Sequence, residues 1–186
     1  MPPALNELKR FWQRRFGTSN SEKLYDRIVA QARLPIFYQD LGLPDSLDGR
    51  FVALSLHLFA ILHRLKKEGA GGLFLAQDLA DRFSLDMETV LRELGMGDLK
   101  VPKSMRSLAA SSQALLEDYE STFAKGEGAL AEAIARALPK TKADMGVTSK
   151  QLASYVTASV RRLDEQPLAS LRAGTVEFPM PPKPDS

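Results

Sequence analysis

The chain has 186 residues, is 44% hydrophobic and 26% charged, and contains no cysteine. That length carries one domain with a real core, and the missing thiols exclude disulfides, thiolate metal sites and cysteine nucleophiles. The net charge of +2 is concentrated in residues 1–16, where Lys9, Arg10, Arg14 and Arg15 face only Glu7; the rest sums to −1 and offers no broad basic face for DNA.

Residues 5–16, L-N-E-L-K-R-F-W-Q-R-R-F, open the chain. Wound as a helix, they gather Leu5, Leu8, Phe11, Trp12 and Phe16 on one broad side, with most of the cations elsewhere. The pattern predicts a basic amphipathic arm over 1–18 that meets an anionic membrane surface or a partner, or packs Trp12 onto the domain. The candidate arm residues are Lys9, Arg10, Phe11, Trp12, Arg14, Arg15 and Phe16. No continuous apolar signal region precedes them.

A helical domain is expected over 19–173. Ser19 and Glu22 read as a capping box, followed by a stripe of Leu24, Tyr25, Ile28, Val29 and Ala32. Pro35 to Leu41 predicts a short helix stopped by Gly42. Asp45 or Ser46 caps a long helix running to about Gly69, and its run F-V-A-L-S-L-H-L-F-A-I-L-H-R-L is apolar around most of its circumference. Such a helix is buried on several sides and is the expected centre of the fold. It is bracketed by Arg50 and Arg64 and falls short of the ~20 apolar residues a bilayer span needs.

Beyond a Gly69–Gly72 loop, Leu75, Leu79 and Phe83 predict one helix, and Met87, Val90, Leu91 and Leu94 another. Met105 through Phe123, Leu130 through Leu138 and Leu152 through Leu163 predict three more. No alternating β-branched run and no internal repeat occurs. The fold class is all-α: a single compact domain of about seven to nine helices around a buried central helix. A Pro-rich, irregular tail follows over 174–186.

Residues with chemistry are few. His57 and His63 stand six apart, about 240° around a helix, so they do not form a metal pair; no metal, cofactor or catalytic residue is assigned. Neither G-A-G-G at 69–72 nor G-M-G at 95–97 has the Lys-Ser/Thr of a phosphate loop. Leu94–Arg106, L-G-M-G-D-L-K-V-P-K-S-M-R, carries more charge than a connection needs. Lys103 and Arg106 fall in the first turns of a helix, where cations oppose the macrodipole. They either pair with acids such as Glu93 or Asp98 or form a basic patch for an acidic or anionic partner. Asp98, Lys100, Lys103 and Arg106 are therefore candidate partner-binding residues, together with the exposed-looking Phe37 and Tyr38, near Leu43.

Several blocks resemble the ubiquinol–cytochrome c chaperone family. They are L-Y-D-R-I-V-A-Q-A-R (24–33), F-Y-Q-D-L-G-L-P-D-S-L-D-G-R-F (37–51), H-L-F-A-I-L-H-R-L (57–65), D-L-A-D-R-F (78–83), E-L-G-M-G-D-L-K-V-P-K-S-M-R (93–106) and A-L-L-E-D-Y (114–119). The resemblance implies a helical, non-enzymatic assembly factor for ubiquinol–cytochrome c reductase. Its implied client is newly made cytochrome b or another subunit of that complex. Mitochondrial relatives imply two further partners, the ribosome and a small protein. The implied location is cytoplasmic, peripheral to the inner membrane, as in a bacterial-type member. Two rivals remain: a membrane-peripheral helical adaptor with a different client, and a small lipid-handling helical enzyme.

Overall fold

The computed structural model describes residues 20–93, 100–139 and 145–182. Its helices are α1 (Asn20–Ala32), α2 (Pro35–Gln39), α3 (Leu47–Lys66), α4 (Ala70–Glu93), α5 (Val101–Phe123), α6 (Glu127–Ala137), α7 (Met145–Asp164) and α8 (Leu168–Arg172). No strand occurs among the described residues, so the fold is all-α, as the sequence pattern predicts.

Ser46 starts α3 from an extended backbone, and its Oγ accepts the Gly49 N–H at 3.2 Å. Asp48 sits in the first turn and His63, Arg64 and Lys66 in the last, both favourable against the helix dipole. The apolar residues of α3 are buried on every side because α1, α4, α5 and α7 all pack against it. Leu24 and Ile28 of α1, Ile61 of α3, and Leu163 of α7 are wholly excluded from solvent in this core, as are Leu130 and Ile134 of α6.

One buried cation ties the centre to the far end of α7. Arg64 Nε donates to the Leu163 carbonyl at 3.0 Å and Nη2 to the Gln166 carbonyl at 3.2 Å, while Nη1 bonds Glu68. Two carbonyls left open by the end of α7 are thereby satisfied.

Two sequence expectations need correction here. Residues 70–93 form one helix where the pattern suggested two, because nothing from Phe83 to Met87 interrupts the backbone ladder. Asp86, which reads as a helix start, lies within α4 and accepts the Tyr25 hydroxyl at 3.0 Å. Only Gly69, at φ +56°, acts as a stop; Gly71 and Gly72 belong to the first turns of α4. Gly72 is required by packing: a Cβ there would stand 2.0 Å from the Leu65 carbonyl oxygen.

Residues 175–182 have no regular structure, yet they pack. Val176 is buried, the Phe178 ring meets His57 edge-on at 5.1 Å, and Glu177 pairs with Arg162 at 2.6 Å.

Candidate functional site

Helices α3, α4 and α5 enclose an apolar cleft of about 390 Å³. Leu58, Phe59 and Leu62 come from α3, Leu79 and Phe83 from α4, and Leu116 from α5, with Ala80 and Ala109 leaving room between the larger groups. The volume lies in the range of small-ligand pockets, and it also fits a few side chains of an apolar segment.

Polar groups are confined to the rim. Glu120 accepts from Lys66 Nζ at 3.0 Å and from His63 Nδ1 at 2.9 Å. Burial pushes the Glu120 carboxyl up, but its bonds from His63 and Lys66 outweigh this and hold it below its usual range. The His63 ring also meets Phe123 at 4.9 Å, which fixes its plane.

The cleft hydroxyls are turned to their own helices. Ser55 donates to the Phe51 carbonyl at 2.7 Å, Ser112 to Leu108 at 2.7 Å and Ser84 to Ala80 at 3.0 Å. None is activated by His63, so no nucleophile–base pair forms here. Among the described residues no group of three or more histidines and acids could hold a metal ion. The arrangement suits binding of apolar surface.

The second histidine lies elsewhere. His57 is buried, with Nδ1 2.7 Å from the Ala53 carbonyl and Nε2 3.0 Å from the Tyr155 hydroxyl, which itself accepts from Gln31 at 3.0 Å.

The sequence-derived candidates fare unequally. Phe37 is only 1% exposed, its ring held edge-on by His57 at 5.3 Å and Tyr155 at 5.1 Å, and Leu43 is equally buried. Their expected exposure is overturned: α2 turns its apolar side onto α3 and α7, so Phe37 presents no surface to a partner. Tyr38 is half-buried and donates to the Ala32 carbonyl at 2.8 Å. Lys100, Lys103 and Arg106 at the start of α5 are exposed and form no ion pair with a described residue. Asp98 lies outside the described residues, as do the arm residues Lys9, Arg10, Phe11, Trp12, Arg14, Arg15 and Phe16. The cleft itself escapes sequence reading, since its walls come from three helices and no motif marks them.

A profile described as ubiquinol-cytochrome C chaperone matches residues 39–178, which include every residue lining the cleft. The chain belongs to this family. It is 26% identical over 142 residues to ubiquinol-cytochrome-c reductase complex assembly factor 1 of Xenopus laevis, covering 76% of this chain and 71% of that protein. Its Drosophila melanogaster counterpart is 24% identical over 152 residues, covering 79% of this chain but 59% of the fly protein. The crystal structure of the Cbp3 homolog from Brucella abortus is similar throughout, with a TM-score of 0.77 at 33% identity, covering 92% of this chain and 96% of that one.

No helix among the described residues is long and apolar enough to cross a membrane.

Proposed function

We propose that this chain is a non-enzymatic assembly factor for ubiquinol–cytochrome c reductase that binds newly made cytochrome b at the cytoplasmic face of the membrane. The observation that carries the reading is the family match over residues 39–178. The α3–α5 cleft supplies a physical means, an apolar recess with a charged rim and no assembled catalytic group.

In this reading Lys100, Lys103 and Arg106 approach the client complex or the anionic membrane surface, and residues 1–18 hold the protein at that surface. Amphipathic helices with cations on the polar side bind anionic bilayers through both buried apolar area and charge.

Deletion of the gene, followed by measurement of assembled ubiquinol–cytochrome c reductase, tests the assignment. Loss of the complex is expected, and normal levels overturn it. Co-purification of cytochrome b supports that client; its repeated absence alongside another captured protein favours the adaptor reading.

A further inference from the structure

The outward face of α4 carries apolar side chains that nothing described covers. Leu73 is 61% exposed, Phe74 79% and Leu85 40%. At 100° per residue these three share one side of α4 with the exposed acids Asp78 and Asp81. The cleft-lining Leu79, Ala80 and Phe83 fall on a different side, and Arg82 and Asp86, which bond α1, on a third. The face is therefore a strip of alternating apolar and acidic character, separate from the candidate client cleft.

The described chain begins at this strip. Asn20 lines a shallow recess together with Gly71, Phe74, Leu75, Asp78 and Arg172. Immediately before it stand residues 5–16, apolar on one side and basic on the other, joined by Gly17, Thr18 and Ser19. Three extended residues reach about 10 Å, the separation of two packed helices. A helix of residues 5–16 is about 18 Å long, and Leu73 to Leu85 spans about the same length. Charge agrees as well, four cations meeting Asp78 and Asp81. The one cation in the recess, Arg172, is occupied by the Gly71 carbonyl at 2.9 Å.

We propose that residues 5–16 dock in cis on the Leu73–Leu85 face of α4, covering Phe74 with the Trp12 side of the arm. This rests on the reading of those residues as an amphipathic arm. One apolar side cannot serve α4 and a bilayer together, so anionic membranes compete with the docked state. Release of the arm at the membrane then uncovers Leu73 and Phe74.

Trp12 is the chain's single tryptophan, so the full-length protein reports directly. Without vesicles, its emission is expected to be blue-shifted and its acrylamide quenching several-fold weaker than in the urea-unfolded chain, at all protein concentrations. Phe74→Asp should return both towards the unfolded values while circular dichroism is unchanged. Phe74→Ala, with a smaller loss, serves if the charged variant misfolds. A solvent-exposed Trp12 in the wild-type protein overturns the docking, as does protection that survives both folded variants. Protection that vanishes on dilution assigns the contact to a second copy and also overturns it. Phosphatidylserine vesicles separate the two ideas. Exposed Trp12 with retained vesicle binding sinks the docking and leaves the membrane arm standing; protected Trp12 without vesicle binding does the reverse.

Discussion

The Tyr155 hydroxyl stands 3.0 Å from His57 Nε2, and the opposite ring nitrogen stands 2.7 Å from the Ala53 carbonyl. A carbonyl only accepts, so Nδ1 carries the proton and Nε2 accepts from Tyr155. The buried imidazole is thereby satisfied as the neutral tautomer. Phe37, Tyr155 and Phe178 crowd its ring, which leaves no space for a counter-ion.

Acid stability follows from this pair. Burial lowers the His57 pKa from 6.5 to about 4, against a smaller opposing push from the Ala53 hydrogen bond. Between those values the unfolded chain binds the proton and the folded chain does not. The contribution is thus complete above about pH 6.5 and lost as pH falls towards 4, in total on the order of 3 kcal/mol. Denaturant titrations at several pH values should show this slope, and His57→Gln should flatten it. An unchanged slope in the variant, or an imidazole that titrates near 6.5 by NMR, would refute the assignment.

The two turns of α4 after Gly69 give an opposed pair of glycine effects. Gly72→Ala drives a methyl into the Leu65 carbonyl and should cost about 2 kcal/mol, within the range of core overpacking. Gly128 lies in α6 with nothing within 4 Å of an added Cβ, so Gly128→Ala should add about 0.5–1 kcal/mol through helix propensity and a less flexible unfolded chain. Urea midpoints measure both. Equal signs would mean the α3–α4 corner adjusts more freely than its geometry allows.

Tyr119 presents the reverse of His57. Its ring is wholly buried beside Phe59, centroids 5.9 Å apart, and its hydroxyl has no hydrogen-bond partner. A buried hydroxyl without a partner costs free energy that a phenyl ring does not. Tyr119→Phe should therefore leave stability unchanged or raise it by up to about 1 kcal/mol. A loss of that size in thermal unfolding would contradict the unpaired state of the hydroxyl.

What the sequence made legible was mostly local. The α3 pattern shows its burial because the helix is apolar on all sides, and Ser46 marks its start because a cap needs only three further residues. Distant partners were invisible. Phe37 reads as exposed until His57 and Tyr155, some 20 and 118 residues on, close over it. Asp86 reads as a helix start because its partner Tyr25 is 61 residues away. The cleft needs side chains from Ser55 to Glu120 in register, which helix periodicity alone does not specify. Only the family resemblance, carried by whole blocks of residues, spans such distances.

The basic start of α5 permits a test in which stability and function move in opposite directions. The helix has no acid in its first turn, and Lys103 lies there unpaired among the described residues. A cation at that position opposes the positive end of the helix dipole. Lys103→Glu should therefore stabilise the fold by about 0.3–1 kcal/mol, less at high salt. Arg106, one turn on and exposed, adds little to the dipole term, so the double variant should melt at or slightly above the wild-type temperature. If these cations meet an acidic partner or an anionic membrane, the same variant should lower the level of assembled ubiquinol–cytochrome c reductase. Thermal melts of the purified protein and complex levels in cells carrying the variant provide the two readings. Wild-type assembly with raised stability would remove the patch from the functional surface. A melt well below wild type would show that Lys103 and Arg106 hold the fold together.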